Sequence, residues 1–191
     1  MSTAHALTLV DVLLPKRSAI HDAGLVFGFS LLIGLSSMVA IPLPFTPVPL
    51  TLQTMTVLLA GLMLGSRLGA LAVLAYIAQG LVGMPVFASG AWGLARLVGP
   101  TGGYLAGFVL AAVIVGVLAE RGWDRRPAST LAAMAVGNAV IYGCGVLWLS
   151  LFVPFQLALV QGVLPFLAGD ALKIAAVVTA LPLGWSRLGG R

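Results

Sequence analysis

Charge is the scarcest property of this 191-residue chain: only 8% of its residues are Asp, Glu, Lys or Arg, against 60% hydrophobic. A soluble domain of that composition would aggregate, so the chain reads as a polytopic membrane protein. Cysteine and histidine are almost missing as well. Cys144 stands alone, which excludes an intramolecular disulfide and a cysteine-rich metal site. His5 and His21 both lie near the N-terminus, which excludes an HExxH metal centre. Lysine occurs only at Lys16 and Lys173, so there is no GxxxxGK[ST] phosphate loop and the chain is not itself a P-loop ATPase. The formal net charge of +5 does not signal nucleic acid, because the cations close apolar runs instead of clustering with exposed aromatics. No cleaved signal peptide is expected: Asp11 interrupts the apolar run from Leu7 to Arg17, and no small-residue cleavage site is evident.

What the chain has in quantity is apolar runs, enough for about six spans of roughly 20 residues each, with no room for a separate soluble domain. The first runs from about Ala23 to Ile41 and is stopped by PLPFTPVP, Pro42 to Pro49. The second, Thr51 to Gly65, and the third, Leu68 to Leu81, are both short and are separated by Ser66 and Arg67. A fourth covers about Thr101 to Ala119, followed by the charged turn ERGWDRRP; a fifth covers about Thr130 to Val153, ended by Pro154. The sixth begins near Leu164, with Pro165 suited to a first helical turn, and reaches Leu183. This predicts an all-α bundle of six transmembrane helices over residues 23–183, with an N-terminal segment 1–22 and a tail 184–191. Lys16, Arg17, Arg67, Arg121, Arg125, Arg126, Arg187 and Arg191 fall on one side and Arg96 alone on the other, which puts both termini in the cytoplasm.

Two stretches do not fit a plain bundle. From Met84 to Tyr104 the chain reads MPVFASGAWGLARLVGPTGGY, too rich in Gly and Pro for regular hydrogen bonding and too apolar for an ordinary aqueous loop. It reads as a site-building outer loop carrying Arg96. In the sixth span, Asp170 and Lys173 lie three apart on one helical face, and either charge in lipid would cost several kcal/mol, so both face the interior. Counting about 1.5 Å per residue from Leu164 places the pair in the outer half of the membrane, within reach of the loop. Asn138 and Tyr142, four apart in the fifth span, and Gln53 in the second add further intramembrane polar groups. The plain alternatives are a self-neutralising ion pair and an exposed loop arginine. The coincidence of both with the Gly-rich loop weighs against them.

Small residues at four-residue spacing, Gly24/Gly28, Ser30/Gly34, Gly61/Gly65/Gly69 and Gly99/Gly103/Gly107, read mostly as close intramolecular packing, with docking of another subunit or of a second copy left open. Trp92, Trp123, Trp148 and Trp185 read as interfacial anchors. Two other function classes stay in view. One is an intramembrane hydrolase with Ser89 as nucleophile and Lys173 as base, which Asp170 opposes by keeping Lys173 protonated. The other is a membrane scaffold without a ligand.

The ordered set PVPLTLQT (Pro47 to Thr54), GLVGMPVFASG (Gly80 to Gly90), GPTGGYLAGF (Gly99 to Phe108), NAVIYGCGVLWL (Asn138 to Leu149) and PFLAGDALKIAA (Pro165 to Ala176) resembles the BioY family. These are biotin-specific substrate-binding S components of energy-coupling factor transporters, and the likeness covers nearly all of Ala23 to Leu183. It implies a non-enzymatic protein of the bacterial cytoplasmic membrane that captures biotin from outside, under the loops between the first and second and the third and fourth spans. It also implies no cofactor in this chain, with ATP used by two partner ATPases that act through a transmembrane coupling subunit. Arg96, Asp170 and Lys173 match the family's polar pocket; Thr51, Gln53, Tyr104, Asn138 and Tyr142 fall at motif positions. Biotin's carboxylate would pair with Arg96, and its ureido ring would meet Asp170 as acceptor beside Lys173 as donor, although the two cations can exchange roles. Val86, Phe87 and Trp92 would cover the apolar part. The first helix departs from the family pattern, with glycines and Ser30 where alanines spaced by four are usual. That leaves open whether it docks on the partner by this face or depends less on the partner.

Overall fold

A computed structural model describes residues 8–188; His5 and Arg191 lie outside the described residues, as do parts of both terminal segments. The chain is mostly helical: α1 (Leu9–Leu13), α2 (Ala19–Met38), α3 (Gln53–Leu81), α4 (Leu94–Val98), α5 (Gly102–Ala119), α6 (Pro127–Leu149), α7 (Phe155–Gly162) and α8 (Leu164–Leu188). A two-stranded antiparallel ribbon, β1 (Ala40–Ile41) and β2 (Leu50–Thr51), pairs Ala40 with Thr51 and Ile41 with Leu50. It closes the proline-rich loop between α2 and α3 into a short tongue. Among the described residues, five stretches are long and apolar enough to cross a membrane: α2, α3, α5, α6, and the run of α7 with α8.

The second and third expected spans both lie in α3, whose 29 residues form two helical limbs joined at Gly65 and not one rod. Gly65 sits at φ +82° and ψ −179°, a conformation that only glycine adopts without strain, and the helix reverses there. The reversal is plain from the contacts: Gln53 Nε2 donates to Tyr76 Oη at 2.6 Å although 23 residues separate them. A straight helix would hold those residues about 34 Å apart. Reversal leaves the N–H groups of the second limb without helical partners. Glu120, at the end of α5, supplies one acceptor, taking hydrogen bonds from the Ser66 N–H at 2.7 Å and the Ser66 hydroxyl at 2.8 Å. A carboxylate at a helix N-terminus also suits the helix dipole.

The core is the stack of α3, α5 and α6, with α2 against α3 and α8 against α6. Gly116 lets α5 lie almost on the backbone of Gly65 and Ser66; a Cβ there would fall 2.3 Å from the Ser66 nitrogen. Such close approach is how helices gain dispersion contact where lipid removes the hydrophobic drive. The outward faces carry exposed apolar side chains, among them Ile20, Phe27, Leu35 and Leu172, as a lipid-facing surface requires.

Several boundaries differ from expectation. Residues 8–14 build the small capped helix α1, packed on α3, with Thr8 and Asp11 forming a capping box and Arg17 paired to Asp11. Pro154 does not end the fifth helix, which stops at Leu149; it caps α7, which ends at Gly162. The tryptophans are not uniform anchors: the Trp148 indole donates to the Gly99 carbonyl at 2.9 Å and the Trp185 indole to Asp124 at 2.7 Å.

Candidate functional site

The two unusual stretches of the sequence meet at the end of the bundle that carries the β1–β2 tongue. Residues 82–101 form an irregular loop containing a single 3-10 turn at Ala88–Gly90 and the short helix α4. Three contacts hold it down. The Ser37 hydroxyl of α2 donates to the Val86 carbonyl at 2.5 Å, the Gly93 N–H donates to the Gly80 carbonyl at 2.8 Å, and Trp148 of α6 holds Gly99. Phe87 seats its ring over Gly80, where a Cβ would fall 2.1 Å from Cζ, and meets the Tyr76 ring edge-on at a centroid distance of 5.6 Å. The absence of a side chain at Gly80 is therefore what lets Phe87 plug the top of α3.

Below this loop lies an open-mouthed cavity whose empty space, the solvent at its mouth included, is about 660 Å³. Its apolar wall includes Val48, Phe87, Leu105, Phe108 and Phe166, and its polar wall includes Thr51, Gln53, Tyr76, Arg96, Tyr142, Asp170 and Lys173. Tyr104 also lines it, while its hydroxyl donates to the Gly162 carbonyl at 2.9 Å and so ties α5 to α7.

The floor is a closed hydrogen-bond network. Lys173 Nζ donates to Asp170 Oδ1 at 2.7 Å, to Thr54 Oγ1 at 2.9 Å and to the Thr51 carbonyl at 2.5 Å, using all three of its protons. The Thr54 hydroxyl in turn donates to Asp170 Oδ1 at 2.9 Å, and the Tyr142 hydroxyl donates to Asp170 Oδ2. Both charged side chains are nearly buried, 10% exposed for Lys173 and 5% for Asp170. Pairing and hydrogen bonding are what make two charges tolerable at that depth. Every ammonium proton and both carboxylate oxygens are engaged; Oδ1 already accepts two hydrogen bonds, and Oδ2, which accepts one, keeps a lone pair for a further donor.

Arg96 is the opposite case. It is half-buried on the cavity wall, and no ion pair or side-chain hydrogen bond of its guanidinium forms among the described residues. Only its backbone is fixed, through the Thr101 hydroxyl on the Arg96 carbonyl at 3.3 Å. A cation presented to a cavity without a carboxylate beside it is a ready partner for an anion.

Of the residues expected at the site, the structure thus brings Thr51, Gln53, Phe87, Arg96, Tyr104, Tyr142, Asp170 and Lys173 to one cavity. Three stand off its wall. Val86 is buried against Gly34 of α2, and Trp92 is 63% exposed on the outer side of the loop. Asn138 is buried one helical turn from Tyr142, with Oδ1 lacking a partner among the described residues. Thr54 and Tyr76 were missed. Thr54 stands one residue from Gln53 in the same helical turn, a signal that was present; Tyr76 lies in a long apolar run, and only the reversal at Gly65 brings it to the site. Ser89 is exposed and off the wall, and Lys173 has no free lone pair while it donates to three acceptors, so the pairing needed by a hydrolase is not assembled.

Comparison with known proteins places the chain in a family. The family model described as the BioY family matches residues 7–190. The "Probable biotin transporter BioY" of Pyrococcus horikoshii is 44% identical over 150 residues, covering 78% of this chain and 88% of that protein. The "Biotin transporter BioY" of Thermotoga maritima is 42% identical over 154 residues, covering 80% of this chain and 88% of its own. In fold, the chain is similar to a crystal structure of the S-component for biotin from an ECF-type ABC transporter, with a TM-score of 0.76 at 24% identity, over 92% of this chain and 96% of that one. With the family model spanning almost its whole length, this chain belongs to the BioY family.

Proposed function

We propose that this protein is the biotin-capturing S component of an energy-coupling factor transporter in a bacterial cytoplasmic membrane. The observation that carries the reading is the division of the cavity into an unpaired cation on the loop, an apolar middle, and a satisfied carboxylate–ammonium floor. Biotin has the same order: a carboxylate, a valeryl chain with a thiophane ring, and a ureido group with two N–H donors and one carbonyl acceptor. Arg96 meets the carboxylate. Asp170 accepts from a ureido N–H through the remaining lone pair of Oδ2, and Lys173 turns one proton from the Thr51 carbonyl to the ureido oxygen.

The two limbs of α3 cross the membrane separately in this reading, giving six crossings from five apolar elements, with both termini in the cytoplasm. The cations at the ends opposite the cavity support that orientation. Residues 23–183 form the membrane domain between two cytoplasmic segments, and ATP is consumed by partner ATPases reached through a transmembrane coupling subunit. The names of the relatives, all biotin transporters, and the shared fold support the assignment.

The test is equilibrium binding of labelled biotin to the purified protein, with thiamine and riboflavin as competitors. Tight binding that biotin alone displaces is expected; no saturable binding would sink the reading. Asp170→Asn should weaken binding by about tenfold or more, the effect of losing a charge-assisted hydrogen bond. Recovery of a coupling subunit and ATPases with the solubilised protein would support the assembly, and their consistent absence would point to solitary action.

A further inference from the structure

Gln53, Tyr76 and Thr51 form a one-way chain of hydrogen bonds beside the cavity. The Thr51 hydroxyl accepts from the Gln53 N–H at 3.3 Å and donates to Gln53 Oε1 at 3.3 Å. That fixes the amide with its NH2 toward Tyr76, where Nε2 donates to Oη at 2.6 Å. The Tyr76 oxygen is thereby an acceptor, and its own proton must go elsewhere. Among the described residues nothing takes it, although Tyr76 is fully buried and lines the cavity. A buried hydroxyl proton without an acceptor is costly unless something fills that place.

Its surroundings identify what would. Arg96 lines the same cavity as Tyr76, and the Phe87 ring packed edge-on against Tyr76 keeps the ring from swinging away. We propose that Tyr76 is a ligand-binding residue, its hydroxyl the second donor beside Arg96 for the ligand's carboxylate, held in that role by Gln53. This rests on the reading of the cavity as a biotin site and deepens it: the carboxylate end is recognised by a donor held on a helix as well as by an unpaired guanidinium on a loop. Gln53 is then a positioning residue, which explains a buried amide that need not touch the ligand.

The experiment compares biotin with biotinamide, its neutral carboxamide, on the wild-type protein and on Tyr76→Phe. The variant is expected to lose about tenfold in affinity for biotin, as for one hydrogen bond to a charged group, while biotinamide affinity changes less than about twofold. Because removing the hydroxyl strands the Gln53 amide, the double variant Tyr76→Phe with Gln53→Leu is measured as well and should show the same selective loss. Equal losses for biotin and biotinamide in both variants, or no loss for either, would overturn the proposal. Failure of the wild-type protein to bind biotin would instead overturn the reading on which it rests, so the two failures are distinct.

Discussion

Asp170 and Arg96 face the same cavity, yet their charges are handled in opposite ways. Asp170 and Lys173 sit on α8 in a network that the protein completes by itself, with Thr54 from α3 and Tyr142 from α6 as further members. Arg96 sits on a loop, half-buried and unpaired. A charge that the fold has already satisfied contributes to the fold; a charge left open costs stability little and contributes only when a ligand arrives. Asp124, in the turn between α5 and α6, is a third case. It is fully buried with Trp185 on Oδ2 and no partner for Oδ1 among the described residues, and burial holds its carboxyl above the ordinary range despite that indole bond.

The comparison breaks first at Asp170. Asp170→Ala would leave the Lys173 ammonium buried and uncompensated, and should lower unfolding stability in detergent by about 3–5 kcal/mol even without ligand. A loss under about 1 kcal/mol would mean that the floor is not structural. Arg96→Ala should do the reverse, weakening biotin binding by about tenfold or more while moving stability by no more than about 0.5 kcal/mol. Titration and chemical unfolding on the same preparation check both halves.

A third substitution acts on the lid. Gly80→Ala would push its methyl into the Phe87 ring, a contact of 2.1 Å at Cζ, and lift the loop from α3. Overpacking of this kind costs about 1–3 kcal/mol and should appear as faster biotin release in stopped-flow measurements, with an unchanged rate counting against Phe87 as a plug. The smallest effect concerns Asp124. Since its folded carboxyl is harder to ionise than the unfolded one, its contribution to stability is full below the ordinary value of 3.8 and is lost as pH rises through the higher folded value. Asp124→Asn should therefore gain thermal stability relative to wild type as pH rises above 3.8, and a difference that stays constant with pH would contradict the burial effect.

How far the site was legible depended on the distance over which each residue acts. Asp170 and Lys173 were visible because two charges in an apolar run must face inward and three-residue spacing puts them together. Arg96 was visible as the lone cation on its side. Trp92 and Val86 were assigned to the cavity from their place in the same loop, but a loop's side chains do not follow a period, and neither lines the wall. Asn138 shares the Tyr142 face of α6, and four residues of rise carry it below the cavity.

The sequence by itself determined the membrane class, the family and the charged pair, because apolar composition, ordered motifs and helical spacing are local properties. Only the tertiary structure decided how the short second and third runs fold back on one another. That reversal depends on a single glycine at φ +82° and on Glu120 from a distant helix capping its turn. Once the limbs fold back, Tyr76 stands beside Gln53, and a tyrosine hidden in an apolar run becomes part of the site.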